Sequence, residues 1–197
     1  MAIHITDDPA ADELLTTNPF ALLVGMMLDQ QYPMEHAFRG PQKVLGRFGS
    51  FDPKAIATAD PEEFAALCST TPAIHRFPGS MAARLQELAR IVTEEYDGDA
   101  SRLWTEAADG RELGKRLQAL PGFGAQKVKI FVALLAKQLD VRPAGWEKVA
   151  GDYALDGYRS VADVVDPDSL QKVRDYKKAG KATERAASAE RGTSSKR

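Results

Sequence analysis

The residues best suited to chemistry fall in two short stretches almost one hundred residues apart. One is Leu120-Pro-Gly-Phe-Gly-Ala-Gln-Lys127, a two-glycine turn between apolar-periodic segments. Gly122 and Gly124 stand where a side chain would obstruct close approach and where positive φ is expected. The amides of Gly122, Gly124 and Ala125 would then open the next helix without intrahelical partners, at the positive end of its dipole. Such a turn can take an anion, most often a phosphodiester, and Lys127 and Lys129 add charge nearby. It also reads simply as a tight bend between packed helices.

The other stretch is Phe20-Ala-Leu-Leu-Val-Gly-Met-Met-Leu-Asp-Gln-Gln31, an apolar run ending in two glutamines. A glutamine amide both donates and accepts, so Gln30 or Gln31 could meet a base edge or fill the gap left by an extruded base. As an alternative, both are ordinary polar residues at a helix end. Met26 and Met27 read as pocket lining or as core. Trp146 reads as a stacking surface or as packing, and His75-Arg76-Phe77 as a groove-reaching loop or an exposed one. His4 and His36 are isolated and carry no assignment.

The elements that must position these residues are helical. Asn18-Pro19 caps the run 20–28, whose all-round apolarity marks a central helix. Residues 34–48 form a second helical stretch interrupted at Gly40-Pro41. Asp52-Pro53 and Asp60-Pro61 open two short helices, Lys54–Ala59 and Glu62–Ser69. A proline-rich loop over 70–79 precedes an amphipathic helix from Ser80 to about Tyr96, with Met81, Leu85, Leu88, Ile91 and Val92 on one face. Residues 110–119 and Val128–Leu139 flank the two-glycine turn. No alternating strand pattern and no internal repeat is present, so the predicted fold is all-α.

Composition narrows the function classes. The chain has 197 residues, 44% hydrophobic, with 26 Lys and Arg against 28 Asp and Glu. It is too apolar for disorder throughout, and no run approaches the roughly 20 apolar residues of a membrane span. A single cysteine, Cys68, excludes a disulfide framework, a multi-cysteine zinc site and a cysteine-ligated iron–sulfur cluster. No cofactor, no metal and a cytoplasmic location are expected, without a secretion signal. Nine basic and three acidic residues lie between 172 and 197, which leaves about −8 on residues 1–171. The tail 180–197 has no apolar anchor and is expected to be a disordered basic segment beyond a helical domain of residues 1–179.

Taken together, the Gln-Gln element, the Arg76–Ala82 region opening a helix, and Leu-Pro-Gly-x-Gly resemble the helix-hairpin-helix (HhH-GPD) DNA glycosylase superfamily. The likeness runs from about Asn18 to Leu139, with the hairpin at about 113–139. It implies a two-lobed helical fold and base excision repair on double-stranded DNA carrying a damaged or mismatched base. Gly122, Gly124, Ala125, Gln126 and Lys127 would grip one strand, Gln30 would fill the duplex beside Gln31, and Arg76 would reach the groove. A monomer, associated with the nucleoid if bacterial, is expected.

Two departures qualify this reading. Strand-nicking members place a lysine two positions after the second glycine, where this chain has Gln126. Lys127 is turned about 100° away and is expected to point elsewhere, so base release by hydrolysis without nicking is implied. The family aspartate is missing from Val141-Arg-Pro-Ala-Gly-Trp-Glu-Lys148. Glu147 and Asp152 are the candidates to replace it, since a carboxylate stabilises positive charge developing on the sugar. The alternatives are a DNA-binding or damage-sensing module without chemistry, and a helical protein-interaction scaffold.

Overall fold

The computed structural model describes residues 2–194, with residues 181 and 183–194 as backbone alone. Among the described residues the chain is helical and contains no strand. The helices are α1 (Pro9–Thr17), α2 (Pro19–Leu28), α3 (Met34–Phe38), α4 (Gly40–Phe48), α5 (Pro53–Thr58), α6 (Pro61–Ser69), α7 (Pro78–Glu95), α8 (Arg102–Thr105), α9 (Gly110–Gln118), α10 (Ala125–Gln138), α11 (Trp146–Ala150) and α12 (Pro167–Ser194). Two 3₁₀ turns, Gly151–Ala154 and Val161–Asp163, link α11 to α12.

Asp-Pro and Asn-Pro pairs start the early helices. The side chains of Asp8, Asn18, Asp52 and Asp60 each accept first-turn amide hydrogens, and the following proline needs no donor there. The same device at Asp8 opens α1, which the sequence reading passed over because its buried stripe is short (Ala11, Asp12 and Leu15). Helix α7 begins at Pro78, two residues before the expected start.

Helix α2 is the centre. Every residue from Phe20 to Leu28 is buried, as its continuous apolarity requires. At Gly25 a Cβ would lie 2.5 Å from the Phe38 ring, so glycine allows α3 to close on α2. Helices α5 and α6 pack on α7, whereas α10 packs on α9, α11 and the second 3₁₀ turn. One apolar core runs through both groups, with Leu23, Met27, Phe38, Leu85, Phe131 and Leu134 fully buried.

The C-terminal segment differs from the composition-based expectation. The backbone is helical through Ser194, although the sequence argues for disorder from 180. Ala, Glu, Lys and Arg are strong helix formers, which favours this backbone locally, although a helix without core contact is marginal in water. Residues 195–197 of that expected tail lie outside the described residues. No described helix is long and apolar enough to cross a membrane.

Candidate functional site

The hairpin turn has a backbone that only its first glycine requires. Gly122 adopts φ +81°, and a Cβ there would meet Arg84 Cδ at 3.0 Å and Met27 Cγ at 3.2 Å. Gly124 has φ −82° and open space around it, so the expectation of positive φ at both glycines holds only for Gly122. Gly124 caps α10 without a side chain. The Val128 amide donates to the Gly124 carbonyl (3.1 Å), so the preceding first-turn amides have no helical acceptor.

On the facing wall, α2 ends in a tight turn. The Gln30 amide donates to the Leu28 carbonyl at 2.7 Å, and Gln31 is left-handed (φ 52°), an uncommon conformation for a residue with a Cβ. His75, from the proline-rich loop, fixes this turn. The Phe77 amide donates to its Nδ1 (3.1 Å), so Nε2 carries the hydrogen and donates to the Gln30 carbonyl (3.0 Å). Burial lowers the His75 pKa, in keeping with this neutral form.

Arg84 connects the two walls. Its Nη1 donates to Gln30 Oε1 at 3.0 Å, while its aliphatic stem lies against Gly122. The Gln30 carbonyl oxygens are thus engaged by protein, and the side-chain amide nitrogen makes no described hydrogen bond. Between the walls lies a cleft of about 1630 Å³. Of the DNA-binding candidates, Gln30, Gln31, Arg76, Gly122, Gly124, Gln126 and Lys127 line it. Ala125 contributes the first residue of α10 and does not line it.

Lys127 corrects the helical-wheel expectation. It lines the cleft together with Gln126, and its Nζ donates to the Met27 carbonyl at the end of α2. Two adjacent residues reach one space because the cleft is wide and the lysine stem is long. Burial lowers the Lys127 pKa to about 8, with Arg84 lowering and Asp29 raising it. The ammonium still predominates at neutral pH. Gln126 Nε2 donates to the Tyr153 hydroxyl at 3.0 Å.

The proposed replacement carboxylates are elsewhere. Glu147 and Asp152 are exposed, and neither lines the cleft, because α11 and the following 3₁₀ turn face only Tyr153 into it. The acidic residues lining it are Asp29 and Glu35, with side chains only 12% and 13% exposed. Trp146 packs against the core and against Gly110, where a Cβ would lie 2.7 Å from the Trp146 backbone. Met26 lines the cleft and Met27 is buried beneath the hairpin. No cluster of metal-ligating side chains occurs among the described residues.

The cleft is basic although the chain is not. Arg76, Arg84 and Lys127 are joined there by Arg159 from the α11–α12 connection and by Arg174, Lys177 and Lys178 of α12, seven cations against two carboxylates among the described residues. Lys129, expected to add charge near the turn, does not line the cleft; nor does Arg142, which pairs with Asp140 at 3.1 Å. Arg84, Asp29, Tyr153, Arg159 and Arg174 had no distinguishing signal in the sequence; Arg84 read only as the polar face of an amphipathic helix. Arg159 Nε is buried without a hydrogen-bond partner.

A family model described as HhH-GPD superfamily base excision DNA repair protein matches residues 24–191. No curated protein and no solved structure matches the chain.

Proposed function

The chain belongs to the HhH-GPD superfamily of base excision DNA repair proteins, and from that premise we propose that its cleft holds duplex DNA at a damaged or mismatched nucleotide and releases the base by hydrolysis. The observation that carries this reading is Arg84 spanning from Gln30 to Gly122, which sets the glutamine element and the hairpin on opposite walls of one basic cleft. One wall offers amide hydrogens and Lys127 to a phosphodiester, and the other offers an amide side chain to the space left by an extruded nucleotide.

Several side chains fit the same substrate. Arg159 lines the cleft, where a guanidinium suits a phosphate oxygen. Phe77 is 49% exposed beside the cleft-lining Arg76, whose guanidinium lies 4.8 Å from its ring centroid. An exposed aromatic flanked by a cation is a stacking surface for a base. The protein works as a monomer on chromosomal DNA in the cytoplasm, and the pocket shape selects the lesion.

Release proceeds without strand nicking. A nicking mechanism needs a free amine to attack C1′, whereas Lys127 is held on the Met27 carbonyl and is mainly protonated near pH 7. The test is a panel of duplexes with deaminated, alkylated, oxidised or mismatched bases, assayed with and without alkali. Strand breaks on at least one duplex only after alkali support the reading. No product on any duplex removes the chemistry and leaves a damage-binding module. A borohydride-trapped protein–DNA adduct lost in Lys127→Gln replaces hydrolysis by amine attack.

A further inference from the structure

A glutamine side chain has two unlike ends, a carbonyl that accepts and an NH₂ that donates, and by turning about its last bond it can meet any base edge. At Gln30 that freedom is removed. Its backbone is held by its own amide on the Leu28 carbonyl (2.7 Å) and by His75 Nε2 on its carbonyl (3.0 Å). Its side chain is held by Arg84, whose Nη1 donates to Oε1 at 3.0 Å. A guanidinium has only donors, so the amide end that meets Arg84 is the oxygen and the NH₂ is turned away from it. That NH₂ has no acceptor among the described residues, and Gln30 is exposed where it lines the cleft. Arg84 is fixed in turn. It belongs to α7, whose Met81, Leu85 and Leu88 are buried, and a Cβ on Gly122 would lie 3.0 Å from its Cδ and 3.5 Å from its Nη1.

Resting on the repair reading above, we propose that Arg84 is a positioning residue that makes Gln30 a donor-only reader of the base left unpaired opposite the extruded nucleotide, selecting cytosine and rejecting guanine. The pairing edge of cytosine sets two acceptors side by side, N3 and O2. That of guanine sets two donors side by side, N1–H and the 2-amino group. A fixed NH₂ satisfies the first and meets hydrogen with hydrogen on the second. Adenine and thymine each set a donor beside an acceptor and fall between. The extruded nucleotide is then one that stood opposite cytosine, so the substrate class is a damaged guanine or a base mispaired with cytosine.

Equilibrium binding tests the assignment without turnover. Two duplexes carry the same tetrahydrofuran abasic analogue and differ only in the opposite base, cytosine or guanine, so phosphate contacts cancel in the ratio of their affinities. Wild-type protein is expected to hold the cytosine duplex about fivefold more tightly, the effect of one hydrogen bond. R84M lets the amide turn and brings the ratio to about one. Q30E keeps a partner for Arg84 but replaces the NH₂ with an oxygen that only accepts, so the preference inverts to guanine by about threefold. Residue 30 is exposed just beyond the end of α2, so this second variant decides the matter even if R84M proves unfolded. A wild-type ratio of one or below, or a cytosine preference that survives either R84M or Q30E, overturns the assignment. If both abasic duplexes bind at least about tenfold more tightly than the intact duplex but equally, the DNA-repair reading stands without it. If neither does, that reading falls and takes the assignment with it.

Discussion

Two glycines two positions apart in the hairpin have separate duties. Gly122 occupies left-handed backbone, with Arg84 and Met27 against its α-carbon, so G122A is expected to destabilise the fold by about 1–2 kcal/mol and to weaken DNA binding. Gly124 is extended and open, so G124V is expected to leave thermal unfolding nearly unchanged while obstructing a strand that approaches the α10 amides. Denaturant titration beside binding to an abasic-analogue duplex separates the two. Equal loss of stability in both variants would reduce the turn to a packing feature.

Lys127 presents the opposite balance. Its ammonium is held in the cleft against a desolvation penalty, so K127M is expected to raise stability by about 1 kcal/mol while lowering DNA affinity. Its folded pKa of about 8 lies below the ordinary 10.5, so wild-type stability gains over K127M as pH rises from about 8 to 10.5. His75 has the same sign at lower pH. Its pKa is lowered from 6.5, so its stabilisation is complete above that value and is lost as pH falls through the lower folded one. The denaturation midpoint is expected to fall between pH 7 and 5, with a flatter profile in H75Q. A profile unchanged by H75Q would mean that the Gln30 turn does not depend on the neutral imidazole.

At the scale of elements, α12 is held in two ways. Leu170 and Val173 are buried, whereas from Arg174 onward the described contacts with the body are polar, among them the Arg174–Glu35 and Lys177–Asp29 pairs and the Tyr176 hydroxyl accepting from Arg159 Nη1 at 3.4 Å. An apolar anchor outlasts a screened ion pair, and an unsupported helix is marginal in water. Brief trypsin treatment is therefore expected to cut first between Lys178 and Arg191 and to leave a core ending near Arg174. Complete resistance over that stretch would contradict the composition argument for a mobile basic tail.

The helices were legible in the sequence where local chemistry decides them. Asn18-Pro19, Asp52-Pro53 and Asp60-Pro61 cap what they appear to cap, and the unbroken apolar run 20–28 is the buried centre. The glutamine element and the hairpin were legible because they are contiguous motifs. Arg84, Asp29 and Arg159 were not, since an arginine or aspartate on a polar helix face or helix end reads the same whether it faces solvent or a cleft. Lys127 was misjudged for a related reason. An ideal helical wheel fixes the direction of Cβ, but not where four further methylene-length steps carry an ammonium.

For the whole molecule, the charge distribution matters more than the total. The chain carries −2 overall, yet among the described residues seven cations and two carboxylates line the cleft. Binding should therefore depend on salt through the few phosphates that enter the cleft, with a log–log slope of roughly −3 to −5. Deleting residues 174–197 is expected to make the slope shallower by about 2, because Arg174, Lys177 and Lys178 leave with the segment. An unchanged slope would take α12 out of the interface.

The most direct test of the central claim is the affinity of the full chain for one duplex with a single tetrahydrofuran site, relative to the same duplex intact, by fluorescence anisotropy at about 0.1 M salt. A cleft that joins a phosphate-gripping turn to a gap-filling glutamine requires the interrupted duplex to bind at least about tenfold more tightly. Equal affinities, or no binding of either duplex even at low salt, would contradict it.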